Sequence, residues 1–344
     1  MQDSLIVSPK PGSTSTNAAT PVPRLAGIRE PVVDELERFS VYFRNAMRSD
    51  VGLLDKITQY VLRRKGKQIR PILVLLSAKA CGEVSETTFR GAALVELLHT
   101  ATLVHDDVVD ESTRRRGAFS INALWKNKVS VLFGDFLLSR GLLMSLDHRD
   151  YQLLHVMSDA VRRMSEGELL QIEKSRKLDI DEETYLRIIS DKTASLISAC
   201  TKSGAVSATS DEDRIESMRI FGERLGLAFQ IRDDLFDYGA RDVGKPLGID
   251  IQERKMTLPL IHALRSASAS ERRGILRVVG NRTRSRADLR RIATFVEAEG
   301  GLRYARDLML RFAEEARRSL HILPESRSRT SLQHLVDYVV GRSY

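Results

Sequence analysis

From Ile28 onward, apolar residues recur at intervals of three and four, the repeat of an amphipathic helix. Val33, Leu36, Phe39, Val41 and Phe43 open the first such stretch, and Leu53 to Leu62 forms a second. Ile72 to Cys81 is apolar on most sides, which predicts a buried helix. Longer helices are predicted over Phe89 to about Asp110, Val129 to Leu146, Tyr151 to Lys174, Glu182 to Val206 and Asp211 to Tyr238, and several more follow to Tyr344. No segment sustains a period-two alternation, so the pattern predicts an all-α fold of ten or more helices. The first residues are rich in Ser, Thr, Pro and Ala and lack a helical period. Residues 1–26 are expected to form a disordered tail, and residues 27–344 a single all-helical domain.

Composition narrows the function. The chain has 344 residues, 42% hydrophobic and 29% charged, enough to bury a sizeable core. Lys and Arg exceed Asp and Glu by 54 to 46, a net charge of +8 that suits an acidic surface or an anionic substrate. The arginines between Arg272 and Arg291 have no interleaved aromatics. They read as a solvated helix face, and no nucleic-acid partner is expected. Cys81 and Cys200 lie in apolar stretches without zinc-site spacing, which points to a cytoplasmic protein. No run of about 18 uncharged apolar residues occurs, so no transmembrane segment is expected, and no secretory leader is read at the N-terminus.

One short motif occurs twice. Asp106-Asp107-Val108-Val109-Asp110 and Asp233-Asp234-Leu235-Phe236-Asp237 both read DDxxD, and each ends a long apolar helix. Residues four apart share a helix face, so Asp106 with Asp110, and Asp233 with Asp237, form two carboxylate claws. Stacked carboxylates repel one another and oppose the helix dipole, which favours a compensating cation. Hard oxygen ligands suit Mg²⁺, which bridges to substrate phosphates. Basic residues follow each claw: Arg114, Arg115 and Arg116 after the first, Lys245 and Lys255 after the second. Lys65-Gly66-Lys67-Gln68-Ile69-Arg70-Pro71 adds a third basic cluster at a helix start, a favourable place for an anion. Guanidinium forks match phosphate oxygens, so the pattern points to a diphosphate held between metal and arginine.

These residues resemble the trans-isoprenyl (polyprenyl) diphosphate synthases, especially the bacterial octaprenyl and solanesyl type, over about Gly27 to Tyr344. Leu98 to Glu111 is similar to the family's first aspartate-rich block. Gly134 to Leu138, Glu166-Gly167-Glu168, Asp191 to Ala194 and Phe229-Gln230 are similar to others. The resemblance implies an isoprenoid-synthase-type helical bundle around a deep central cavity, usually a homodimer. It implies that Lys67, Arg70, His99 and Arg116 bind isopentenyl diphosphate, and that Arg115, Lys192, Lys245 and Lys255 contact the allylic diphosphate. It also implies that Lys192, Thr193, Gln230 and Lys255 line the reacting end, and that the six claw aspartates hold Mg²⁺, three ions per site. The family often carries GGKRxRP where this chain has Lys65 to Pro71, but Lys67 and Arg70 remain. Arg114 stands where an uncharged or acidic residue is common.

The implied chemistry is ionisation of the allylic diphosphate, attack by the double bond of isopentenyl diphosphate, and proton loss, with the released diphosphate as the expected acceptor. A class I terpene cyclase would need neither Lys67 and Arg70 nor a second DDxxD, and a non-catalytic subunit of a heteromeric synthase would usually lose the claws. Product length is expected to be set one turn and a little more below the first claw, where Ala101 lies about 7.5 Å along the helix from Asp106. With Ala101, Thr102 and Leu98 small or flexible rather than aromatic, the tunnel stays open and a medium-to-long product follows. Phe136, Leu137 or Met144 on a facing helix would then form its floor.

Overall fold

The structure, a computed structural model, describes residues 23–63, 66–115, 117–238, 249–253, 255–281 and 283–341. Among them the fold is all-α apart from one two-stranded ladder. In chain order the helices are α1 (Leu25–Arg29), α2 (Val33–Ala46), α3 (Gly52–Leu62), α4 (Ile69–Cys81), α5 (Glu86–Val109), α6 (Ile121–Asp147), α7 (Tyr151–Lys177), α8 (Glu182–Ile189) and α9 (Ser195–Val206). They continue with α10 (Glu212–Phe236), α11 (Ile249–Gln252), α12 (Leu258–Ser266), α13 (Ala269–Gly280), α14 (Arg286–Ala298), α15 (Gly301–Ser319) and α16 (Arg327–Gly341). The expected N-terminal tail lies outside the described residues up to residue 22. Its last positions are helical, because α1 opens at Leu25.

Two apolar clusters hold the bundle. The larger draws on α4, whose residues are buried on nearly every side, with α5, α9, α10, α12, α15 and α16. The smaller joins Met47 and Ile57 to Leu97, Ala101 and Val104 of α5 and to Ile121, Phe133 and Leu137 of α6. α5 therefore runs between the two clusters. It packs closely on α6 because glycines face it: a Cβ at Gly141 would stand 3.0 Å from Leu94 Cδ1, and one at Gly134 would enter the His105 imidazole. α6 is long and apolar enough to cross a membrane by length and composition alone, yet it carries Lys126, Lys128, Asp135 and Arg140.

Three departures from the periodic pattern have local causes. α6 begins eight residues before the expected Val129, because Ser120 caps it by accepting a hydrogen bond from Ala123 N at 3.0 Å. A break at Lys126 (φ 69°) divides that polar first segment from the apolar remainder. The helix expected from Glu182 to Val206 is divided by a π-helical turn, Ser190–Ala194, in which Ser195 N–H bonds Ser190 O. Arg114–Arg115 pairs antiparallel with Ala118–Phe119 around Gly117, whose φ of +77° suits a residue without a Cβ. This ladder accounts for Arg114, whose guanidinium lies 5.4 Å from the Phe119 ring centroid. Arg272, Arg273, Arg277, Arg286, Arg290 and Arg291 occupy exposed positions of α13 and α14.

Candidate active site

The two claws end α5 and α10, and each divides in the same way. Asp106 and Asp110 are exposed at the end of α5, whereas Asp107 is turned inward, 4% exposed, and accepts a hydrogen bond from Arg115 Nε at 2.7 Å. On α10, Asp233 and Asp237 are half-buried. Asp234 is 4% exposed and accepts hydrogen bonds from Tyr185 Oη at 2.6 Å and from Gln230 Nε2 at 2.9 Å. The middle aspartate of each motif is thus held by protein donors, while the i, i+4 pair stays exposed on α5 and half-buried on α10. Burial pushes the Asp234 carboxyl up to about 7, against the two hydrogen bonds that lower it.

Consecutive residues of the π-helical turn engage α7 on one side and the second claw on the other. Thr193 Oγ1 donates to Gln230 Oε1 at 2.9 Å, extending the Gln230–Asp234 chain of the second claw. Lys192 ion-pairs with Glu168 and donates to Gln171 Oε1 at 3.3 Å, both on α7. Lys192 and Glu168 also act on Asp106: desolvation, Asp110 and Glu168 raise its pKa against the lowering by Arg115 and Lys192. The turn can take this position because small residues flank it. A Cβ at Gly167 would stand 2.9 Å from Lys192 N, and one at Gly226 would stand 2.5 Å from Ala194 Cα. A π-bulge between two such contacts re-aims Lys192 and Thr193 relative to an ordinary helix.

The basic residues expected early in the chain meet a polar stripe on α5. Arg70 Nε donates to Glu96 Oε1 at 2.9 Å. Glu96, His99, Leu103, Asp106 and Asp110 follow one another at helical spacing, and all are half-buried or exposed. Gln68, in the left-handed region at φ 51°, caps α4, and the neighbouring Lys67 donates from Nζ to Tyr338 Oη of α16 at 3.3 Å. Lys255 pairs with Glu253 at 2.5 Å and Asp250 at 3.5 Å. Burial works against its charge, but these carboxylates outweigh burial and raise its pKa. Asp250 also raises the pKa of Asp234, so this end of the chain lies near the second claw. Arg116 and Lys245 lie outside the described residues. Thr102 donates to the His99 carbonyl at 2.9 Å, while Leu98 and Ala101 are buried, one in each apolar cluster. Residue patterns did not single out Tyr185 or Gln171, and Glu168 entered only as part of a block similar to the family's, with no role assigned. Tyr185 shares the buried face of α8 with Ile188 and Ile189, so spacing alone reads it as core.

Among the described residues, no three His, Cys, Asp or Glu side chains converge as a ready-made metal site. The outward carboxylate pairs fit a hard divalent cation that takes one or two protein ligands and completes its shell with water and substrate phosphate.

The matches to known proteins follow this geometry. The polyprenyl synthetase family model matches residues 51–296. A similar protein is the all-trans-nonaprenyl-diphosphate synthase (geranyl-diphosphate specific) of Rhodobacter capsulatus, 38% identical over 92% of this chain and 97% of that protein. The octaprenyl diphosphate synthase of Escherichia coli (strain K12) is 36% identical over 92% of this chain and 99% of that protein. The crystal structure of a polyprenyl synthase from Caulobacter crescentus CB15, complexed with calcium and isoprenyl diphosphate, superposes with a TM-score of 0.84. It is 34% identical, covering 94% of this chain and 99% of that one. The all-helical fold, with an aspartate claw ending each of two long helices, and these matches together define a prenyltransferase. The chain belongs to the polyprenyl synthetase family.

Proposed function

We propose that this chain is a trans-polyprenyl diphosphate synthase that condenses isopentenyl diphosphate repeatedly onto an allylic diphosphate, giving a medium-to-long, octaprenyl-like product. The observation that carries the reading is the π-helical turn, whose Lys192 acts on the first claw while Thr193 reaches the second through Gln230. Both claws would then serve one site, as a reaction that ionises one diphosphate and retains another requires. Asp106 and Asp110 on one side, with Asp233 and Asp237 on the other, would hold Mg²⁺, three ions per site. The bound ions would neutralise charge on the leaving diphosphate. Arg115, Lys192, Lys245 and Lys255 would bind the allylic diphosphate, and Lys67, Arg70, His99 and Arg116 that of isopentenyl diphosphate. Asp107 and Asp234 would position rather than ligate: one orients Arg115, the other fixes Gln230 and through it Thr193.

Residues 27–344 would act as one catalytic domain in the cytoplasm, consistent with two buried, unpaired cysteines. A second copy of the chain would cover the apolar side of α6, where Leu124, Val131, Leu132, Leu143 and Leu146 are exposed. The deciding assay supplies farnesyl diphosphate and labelled isopentenyl diphosphate to the purified chain and sizes the dephosphorylated products. A ladder of longer polyprenols supports the reading. Cyclised products formed without isopentenyl diphosphate would mark a terpene cyclase, and no turnover at all a partner-dependent subunit.

Two expectations follow from the incomplete metal sites and the basic stripe. Activity should vanish in excess chelator and return with Mg²⁺. By calorimetry, inorganic diphosphate should tighten Mg²⁺ binding by about tenfold or more, because phosphate oxygens complete the shell. Mg²⁺ binding that ignores diphosphate would contradict shared ligation. Lys67→Ala and Arg70→Ala should each raise the apparent KM for isopentenyl diphosphate by roughly 10–100-fold and change kcat far less, since charge-assisted bonds to its diphosphate persist from ground to transition state. A selective rise in the KM for the allylic substrate would reverse the assignment of the two diphosphates.

A further inference from the structure

Between α2 and α3 opens a cleft of about 490 Å³ that shares no residue with the claws or with the basic stripe on α5. Arg44 lines it from the last turn of α2, Arg48 from just beyond that helix, and Arg63 from the end of α3. Among the described residues no hydrogen bond or ion pair engages any of these three guanidinium groups. Three arginines therefore line one cleft beside a single lining carboxylate, Asp55, which already accepts a hydrogen bond from Gln59 Nε2 at 2.7 Å. Like charges gathered without partners favour an anion between them.

The second observation lies in the wall of the cleft. Thr58 lines it, is only 2% exposed, and its Oγ1 has no hydrogen-bond partner. A helical threonine ordinarily satisfies its hydroxyl on a carbonyl of the preceding turn, so a buried unpartnered hydroxyl is destabilising unless something else uses it. Guanidinium forks lining one cleft match the tetrahedral oxygens of a phosphate group. We propose that this cleft binds a phosphate-bearing anion, at a site separate from those of the two substrate diphosphates. The neighbouring residue Ile57 packs in the same apolar cluster as Ala101, so α3 forms the wall between this cleft and the α5–α6 interior.

Binding is read without turnover, so the test does not depend on the proposed activity. Inorganic diphosphate is titrated calorimetrically, in chelator, into the full chain carrying Lys67→Ala and Arg70→Ala, which removes two of the competing basic groups, so that the dependence on Arg44 and Arg48 reads the cleft. A binding event should persist in that background and weaken about tenfold or more when Arg44→Gln and Arg48→Gln are added. Thr58→Val keeps the side-chain shape. It should raise the melting temperature of the ligand-free protein and leave the Arg-dependent binding in place, because the hydroxyl is covered by the cleft wall. Co-sedimentation with phosphatidylglycerol vesicles, against phosphatidylcholine vesicles, identifies the source of the phosphate. Vesicle binding that requires Arg44 and Arg48 assigns the site to a lipid headgroup, and an Arg-dependent response to free diphosphate alone assigns it to a soluble ligand. If neither probe depends on Arg44 and Arg48, the proposal is overturned.

Discussion

Asp106→Ala is expected to lower turnover about a thousandfold or more, because it removes metal ligation worth several kcal/mol in the transition state. The fold should survive intact. Asp106 is exposed, and desolvation, with Asp110 and Glu168, already disfavours its charge against the attraction of Arg115 and Lys192, so the substitution removes an unfavourable charge and opens no cavity. Asp233→Ala should behave alike at the second claw. The informative contrast is with the buried aspartates. Asp107→Ala leaves Arg115 without its acceptor, and Asp234→Ala strands the Tyr185 hydroxyl and the Gln230 amide. Each should therefore cost about 1–3 kcal/mol of stability as well as activity. Single-turnover rates measured beside thermal unfolding separate the two classes. Wild-type turnover in either exposed-claw variant would remove that claw from the reaction, and a large loss of stability in Asp106→Ala would make its role structural.

That contrast marks where residue patterns stop being informative. Helical periodicity located α2 to α5, α7 and α10 closely, because each buries one face and the buried residues recur at three and four. The DDxxD repeats and the basic residues around them were visible for a similar reason: their charge is out of place at helix ends unless something binds it. Periodicity cannot tell which carboxylate of a claw turns inward. Asp107 is buried because Arg115 returns to it across the turn after α5, and Asp234 because Tyr185 on α8 lies against it. Both partners are remote from the helix that carries the aspartate. The π-helical turn was equally hidden, since its cause is the close approach of Gly167 and Gly226 from two other helices. Neither glycine breaks the helix that bears it, so neither announces the contact. The polar start of α6 was missed because Asn122, Lys126 and Lys128 interrupt its apolar pattern, while its helical state rests on the Ser120 cap.

The route of the growing chain follows from what each face of α5 can solvate. The stripe that carries the claw continues through Leu103 to His99 and Glu96, and Glu96 is paired with Arg70. A hydrocarbon tail running along it would strip water from those charges, a cost of several kcal/mol for each group left unpaired. The apolar alternative turns from the claw into the smaller cluster, where Ala101 and Val104 face Phe133 and Leu137 of α6. Phe136, Leu138 and Met144 are packed against that cluster while remaining partly exposed, and Phe133 and Phe136 stack at 6.4 Å between ring centroids. On this route Phe136, Leu137 or Met144 would form the floor, and Tyr42 Oη donates to Met144 Sδ at 3.6 Å. Ala101 is 3% exposed and sits where the tail would enter this cluster. A tyrosine there fills the entry, so Ala101→Tyr is expected to shift the products to about three or four isoprene units. Overpacking should cost about 1–3 kcal/mol of stability at the same time. The substitution should leave the rate of the first condensation within about tenfold of wild type, because the claw and the π-helical turn are untouched. Reversed-phase chromatography of the dephosphorylated products reads the distribution, and a melting curve establishes that the variant is folded. An unchanged product length in a folded, active variant would mean that the tail does not pass Ala101, and that the small residue serves only the close packing of α5 on α6.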